Sequence, residues 1–195
     1  RAMTASEDHP ILIVGAGPTG FTAALELARR KIPFRLIERR DGPSPLSRAV
    51  GILPGSMAIL ADCGVADAIR KDAIEAEAFA IYDRSEPVAS IRMDGHRDPS
   101  MRILCLPQDQ TESILREGLE KHGNAVEYGQ TFEALSQDND CVTATVNGRS
   151  DTYAAVLGCD GSRSNVRSAV GLEAEGYDLT EEWSIADLDI PEWQD

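Results

Sequence analysis

The chain has 195 residues, 42% of them hydrophobic, and its 33 acidic against 19 basic residues leave a formal net charge of −14. That length suits one large domain with a packed core, and the acidic field disfavours nucleic acid and anionic membrane as partners. No run approaches the ~20 apolar residues of a membrane span and no secretory signal pattern is visible, which predicts a cytoplasmic protein. The four cysteines (Cys63, Cys105, Cys141, Cys159) form no C-x-x-C pair and read as small apolar residues in a reducing compartment. His9, His96 and His122 are scattered without ligand spacing, so no metal site is expected.

In chain order, the first element is a run of four β-formers, Ile11-Leu12-Ile13-Val14, leading into Gly15-Ala16-Gly17-Pro18-Thr19-Gly20. A helical pattern follows at once, with Phe21, Ala24, Leu25 and Ala28 on one face. Strand, G-x-G-x-x-G turn and helix together are the phosphate-binding half of a dinucleotide-binding unit. Gly15 permits the tight turn, Gly17 lets the backbone approach a pyrophosphate, and Gly20 lets the helix pack close to the strand. The positive end of the helix dipole then faces the phosphates. Lys31-Ile32-Pro33 ends the helix, Phe34-Arg35-Leu36-Ile37 reads as a second parallel strand, and Glu38 closes it 18 residues beyond Gly20. A carboxylate there can accept both hydroxyl hydrogens of an adenosine ribose and repels a 2′-phosphate.

The segment from Arg39 to Ile52 is a long connection with turn chemistry throughout, and Arg48 is the one cation among its small and apolar residues 46–52. On residue statistics a solvated loop arginine is the commoner fate for Arg48, although its planar fork can reach a phosphate or a cofactor edge. Pro54-Gly55-Ser56 opens a short helix that stops at Cys63-Gly64, and another helical turn or two follows over 65–71. From Glu77 the period changes to two: Phe79, Ile81, Val88, Ser90 and Arg92, then Ile103-Leu104-Cys105-Leu106, predict strands of an antiparallel layer around a polar loop at 94–99. Asp109 and Glu112 have capping-box spacing before a helix that ends at His122-Gly123. Strands are expected at 125–128 and 132–136, then a hairpin from Cys141 through Asn147-Gly148, with Tyr153-Ala154-Ala155-Val156-Leu157 as its return strand. That strand runs into Gly158-Cys159-Asp160-Gly161-Ser162-Arg163, which puts the Asp160 carboxylate at the carboxyl edge of the sheet, where open α/β sheets bind ligands. A plain turn, with Asp160 accepting local N–H bonds, is the even alternative. After Gly171 the chain becomes acidic, with one more candidate strand over 183–190.

Three of these motifs, in this order and spacing, resemble the N-terminal part of the group A flavoprotein monooxygenases, the aromatic-ring hydroxylases of the p-hydroxybenzoate hydroxylase fold. Gly15 to Gly20 with Glu38 is similar to that family's FAD fingerprint, Ser47-Arg48-Ala49-Val50-Gly51-Ile52 to its flavin-loop arginine segment, and Gly158 to Arg167 to its Asp-Gly motif; Leu106-Pro107-Gln108 to Glu112 also fits. The resemblance implies an α/β fold: a Rossmann-like FAD-binding domain with a mostly parallel sheet, carrying part of an inserted antiparallel substrate-domain sheet. The expected division is 9–75 and 104–172 for the FAD-binding domain, 76–103 for the insertion and 173–195 for the start of a further part of the substrate domain.

Residue by residue, the resemblance assigns Gly15, Ala16, Gly17, Pro18, Thr19 and Gly20 to the pyrophosphate and Glu38 to the ribose. Arg39 and the backbone near Thr131-Phe132 border the adenine. Arg48 and Gln108 lie along the ribityl-diphosphate part, and Asp160 shapes the cofactor site. It further implies FAD as cofactor, NADPH or NADH as co-substrate, O₂ and a small aromatic, phenolic substrate, and oxygen transfer through a flavin C4a adduct. It leaves a homodimer open and names no catalytic acid or base. The family's later Gly-Asp motif and most of its substrate pocket have no counterpart here, so the chain is expected to be a fragment and inactive alone. A halogenase, epoxidase or reductase on the same scaffold, a non-redox protein of the GDP-dissociation-inhibitor type, and an NAD-dependent dehydrogenase are the alternatives.

Overall fold

The computed structural model describes residues 5–44, 50–93, 98–177, 180 and 184. At its centre is a four-stranded parallel sheet of β1 (Ile11–Val14), β2 (Phe34–Glu38), β8 (Val126–Tyr128) and β12 (Ala155–Gly158), in the order β12-β1-β2-β8. The apolar run Ile11-Leu12-Ile13-Val14 is what a strand covered on both faces requires. Its alternate residues feed two cores: Ile13 packs into one, Leu12 and Val14 into the other.

The first core is covered by four helices: α1 (Pro18–Arg29), α2 (Pro54–Asp62), α3 (Ala66–Asp72) and α4 (Gln108–Lys121). In α1 the buried residues are Gly20, Phe21, Ala24 and Leu25, with Ala28 partly buried against them, which is the expected face. The helix stops in a Schellman motif: Lys31 at φ 56 lets Ile32 N–H reach Leu27 O at 3.0 Å and its own N–H reach Ala28 O at 2.9 Å. α4 ends the same way, with Gly123 at φ 79 and Asn124 N–H on Leu119 O.

The second core lies under an antiparallel sheet, β9 (Phe132–Gln137), β10 (Val142–Val146) and β11 (Arg149–Tyr153), in the order β11-β10-β9, and under the short α5 (Asn165–Ala169). Arg35 on β2 ties this sheet to the parallel one. Its guanidinium is bidentate to Glu127 on β8, with Nε–Oε1 at 2.9 Å and Nη2–Oε2 at 2.7 Å, and it donates to the hydroxyl of buried Tyr153. The hydrogen bond to Glu127 raises the Arg35 pKa against the opposing effect of burial.

A small third sheet joins β3 (Gly51–Ile52), β4 (Ile74–Glu75) and β7 (Leu104–Cys105). Beyond it stands the two-stranded hairpin β5 (Ala78–Asp83) and β6 (Glu86–Arg92). Phe79 pairs with Ile91 and Ile81 with Ala89, so one face of the hairpin is apolar, and Phe79, Ile81 and Ile91 are all exposed on it.

Two expectations are corrected. The return strand of the Asn147-Gly148 hairpin is Arg149–Tyr153, not 153–157: the chain breaks at Ala154, whose N–H donates to Pro10 O at 3.1 Å, and then enters the parallel sheet as β12. The apolar run after Tyr153 belongs to a parallel strand beside β1, while the true hairpin partner is polar because its outer face meets water. The Asp109–Glu112 capping box is likewise absent. Pro107 is the N-cap of α4, and Glu112 instead accepts from Gln108 Nε2 at 2.8 Å, leaving Asp109 as a first-turn acid that complements the helix dipole. Arg48, the polar loop residues 94–97 and, apart from Ser184, the candidate strand over 183–190 lie outside the described residues.

Among the described residues, no helix is long and apolar enough to cross a membrane, and no group of three His, Cys, Asp or Glu side chains is placed to hold a metal.

Candidate functional site

β1 leaves the sheet between β2 on one side and β12 on the other, and all three end at the same edge. Gly15 N–H still donates to Ile37 O and Cys159 N–H to Val14 O, both at 2.8 Å, before the three chains diverge. That divergence is a topological switch point, where an open α/β sheet has a crevice. The crevice here is a cleft of about 440 Å³, walled by the glycine turn, Glu38 to Arg40, the start of α4, residues 130–132 and the Asp160 turn. Its volume is in the range of small-molecule and cofactor sites.

The glycine turn does three separate jobs. Gly15 has φ +103, and a Cβ there would lie 2.5 Å from Cys159 O. Gly20 faces the opposite problem: a Cβ would sit 1.8 Å from Gly15 O, so only glycine lets α1 press on the turn. A Cβ on Gly17 would meet nothing within 4 Å, since this residue faces the open cleft. Gly17 is the N-cap of α1 and brings no side-chain cap, and Pro18 follows at N1 without an N–H. The positive end of a twelve-residue helix is therefore presented to the cleft uncapped by side chains.

Glu38 ends β2 and is buried. Its Oε2 accepts from Ala16 N–H at 3.0 Å, and its Oε1 from Arg40 N–H and Arg40 Nε, each at 3.0 Å. Burial pushes this carboxyl upward, but the Arg40 guanidinium and the two backbone N–H groups outweigh it and hold the pKa below its ordinary value. The group is thus a carboxylate, fixed in orientation, with acceptor capacity remaining on Oε2.

Across the cleft, Asp160 bonds the start of α5, whose N-cap is Ser164. Its carboxylate accepts from Ser164 Oγ, Asn165 N–H at 2.6 Å and Val166 N–H at 3.2 Å. This is the local turn chemistry that spacing alone left open, and it occurs at the cleft wall, so Asp160 is a turn residue and a lining residue together. Cys159 lines the same wall, its thiol pushed up by burial and by Asp160.

Of the residues singled out from sequence, the structure brings Gly15, Gly17, Pro18, Thr19, Glu38, Arg39, Gln108, Phe132 and Asp160 to this one cleft. Ala16 and Gly20 shape it from behind: the Ala16 amide is spent on Glu38, and Gly20 lies under the turn. Arg48 falls outside the described residues. The lining also includes Glu112, Arg163 and Asn165, which lie in the quoted motifs without an assigned role, and Arg40, Ser44 and Gln130, which sequence reading missed. Arg40 had a local signal in its adjacency to Glu38. Gln130 had one in its adjacency to Thr131, and the pairing of β2 with β8 carries that segment to the site.

A family model described as "FAD binding domain" matches residues 8–194. The 6-methylpretetramide 4-monooxygenase of Streptomyces rimosus is 36% identical over 193 residues, covering 95% of this chain and 34% of that protein. The pentachlorophenol 4-monooxygenase of Sphingobium chlorophenolicum is 31% identical over 183 residues, covering 90% and 34%. Among solved structures, p-nitrophenol 4-monooxygenase PnpA from Pseudomonas putida DLL-E4 superposes with a TM-score of 0.79 at 30% identity, over 90% of this chain and 46% of that one. The flavin-dependent monooxygenase PieE, solved with FAD and substrate, gives 0.77 at 29% identity, over 87% and 33%. The chain spans about a third of the length of these curated relatives.

Proposed function

The chain belongs to the FAD-binding domain family, and from that premise we propose that the protein it belongs to is an FAD-dependent monooxygenase that hydroxylates a small aromatic, phenolic molecule, with NADPH or NADH as reductant. The observation that carries this reading is the cleft itself: an open-faced Gly17, an uncapped helix terminus and a buried, oriented carboxylate meet at one sheet edge. The residues present fit FAD. Gly17 admits a diphosphate against the backbone, the α1 terminus complements its charge, and Glu38 offers Oε2 as an acceptor to a ribose hydroxyl while repelling a 2′-phosphate.

In this reading the turn from Gly15 to Gly20 holds the pyrophosphate and Glu38 the ribose, with Ala16 and Arg40 fixing the carboxylate. Arg39 and the Thr131-Phe132 segment border the adenine. Gln108 and Arg48 lie along the ribityl-diphosphate, and Asp160 supports the site through the α5 turn. FAD held there would supply the redox chemistry, passing two electrons from the nicotinamide to O₂ so that one oxygen atom enters the ring and the other leaves as water. The part of the protein described here binds and orients the cofactor; none of its side chains is assigned as a catalytic acid or base. The 9–75 and 104–172 segments form the cofactor domain, with 76–103 and 173–195 contributing to a substrate domain. The 195 residues alone are proposed to be inactive, on the ground that the relatives are about three times as long.

The relatives act, by their names, on a pretetramide, on pentachlorophenol and on p-nitrophenol, which supports an aromatic substrate. The test is oxidation of NADH and NADPH by the full-length protein against a panel of phenols, with product analysis. Substrate-dependent oxidation yielding a hydroxylated product supports the reading. A flavoprotein that reduces or halogenates the same panel without hydroxylating it overturns it.

A further inference from the structure

Resting on the FAD reading, we propose that Asn147, at the tip of the β10–β11 hairpin and outside the cleft lining, is a positioning residue that sets the adenosine-side wall of the cofactor cleft. Asn147 and Gly148 have φ of 47 and 73, the pair of positive values that a two-residue hairpin of type I′ needs. Gly or Asp at the first position would satisfy that turn equally well. The Asn147 side chain does something the turn does not require. Its Oδ1 accepts from Thr131 N–H at 2.8 Å, and its Nδ2 donates to Gly129 O at 2.9 Å and Gln130 Oε1 at 3.4 Å. Its own N–H donates to Thr131 O at 3.1 Å. One turn residue thus grips three consecutive residues of a different segment.

That segment is held on its other side by the strand end that carries the ribose acceptor. Gly129 N–H donates to Arg40 O and Gln130 N–H to Glu38 O, each at 2.9 Å. Residues 129–131 are therefore clamped between the hairpin tip and the main chain of Glu38 and Arg40, and Gln130 and Thr131 face the cleft beside Glu38. A carboxylate at this point of a dinucleotide unit marks the adenosine half of the ligand, so the wall that Asn147 braces is the one the adenosine meets. A braced wall spares the ligand the entropy of ordering it.

The test uses the full-length protein stripped of flavin, with Asn147→Gly, which keeps the turn and removes the side-chain grip. Asn147→Asp keeps the turn and the acceptor for Thr131 N–H but loses both donors. FAD and ADP are each titrated. The expected result is that N147G weakens FAD and ADP by the same factor, about tenfold, the worth of roughly one lost hydrogen bond in ordering the wall, and that N147D, whose second carboxylate oxygen is set against Gly129 O, also weakens both. A purely structural turn residue would lower the melting temperature while leaving both affinities alone, and that result overturns the proposal. So does a loss for FAD with ADP unchanged, which puts the effect on the flavin half. If N147G does not yield folded protein, unchanged FAD and ADP affinities in N147D are the overturning result. Wild-type protein that binds no FAD would defeat the flavin reading first, and this proposal with it.

Discussion

Gly17 and Gly20 differ by three positions and one physical fact, and replacing each by alanine separates cofactor binding from folding. At Gly20 the new Cβ would lie 1.8 Å from Gly15 O, where real Cβ contacts keep at least 3.0 Å, so α1 has to withdraw by more than an ångström from the turn it packs on. The obstacle is main chain and cannot rotate away. Overpacking of this kind costs about 1–3 kcal/mol or more, and for a domain of this size each kcal/mol lowers the melting temperature by about 2–4 °C. At Gly17 nothing lies within 4 Å of the added methyl, and the backbone, at φ −87, suits any residue. Alanine there loses a little as an N-cap and gains a little from a stiffer unfolded chain, so stability should stay within about 0.5 kcal/mol. The methyl nevertheless stands where a pyrophosphate approaches the backbone. Thermal melts of the flavin-free proteins and FAD titrations of the same samples give both readouts. Gly17→Ala is expected to melt with the wild type and to bind FAD at least tenfold more weakly, a loss of about 1.4 kcal/mol; Gly20→Ala is expected to lose both. A Gly17→Ala protein that binds FAD as tightly as the wild type would refute the assignment of the pyrophosphate to this turn.

Glu38→Gln sets an amide NH₂ against the donors of Ala16 or Arg40, and should weaken FAD binding by about 1–3 kcal/mol in the same titration. The folded-state pKa of Glu38 lies below its ordinary value of 4.5, so its stabilising contribution is complete above that value and is lost as pH falls through the lower one. Wild-type protein should therefore lose stability on acidification below about pH 4.5 more steeply than the Glu38→Gln variant in parallel pH–melting series. Tyr153→Phe removes one partner of Arg35 while the bidentate contact with Glu127 remains. It should cost about 1 kcal/mol of stability and leave FAD affinity unchanged, because Tyr153 is not part of the cleft lining.

What was legible in the chain is what is encoded locally. Gly15, Gly17, Gly20 and Glu38 stand in one continuous βαβ segment whose period, turn and acid all agree, and the structure brings Gly15, Gly17 and Glu38 to one cleft with Gly20 packed under the turn. Asp160 was legible as a residue at a strand's carboxyl end for the same reason. The hairpin return strand was misplaced because two strands abut at Ala154 with no loop between them, and the apolar residues after Tyr153 look like one strand with it. The capping box failed because the fixed φ of Pro107 starts α4 earlier than the Asp109–Glu112 spacing implies. The brace from Asn147 was invisible, since it depends on the β10–β11 tip meeting residues 129–131 and on those residues bonding the main chain of Glu38 and Arg40, a non-local arrangement that no window of sequence contains. The alternation of Phe79 and Ile81 was legible, but across the hairpin their face is shared by Ala89 and Ile91 and not by Val88, Ser90 and Arg92, because the cross-strand register is not contained in the local pattern.

The central claim is that this cleft holds FAD. Stripping the full-length protein of small molecules and titrating it with FAD, by calorimetry and flavin absorbance together, tests it most directly. The account predicts saturable binding of one FAD per chain, a yellow complex, and release of intact FAD on denaturation. A folded, colourless protein that no concentration of FAD saturates would contradict it.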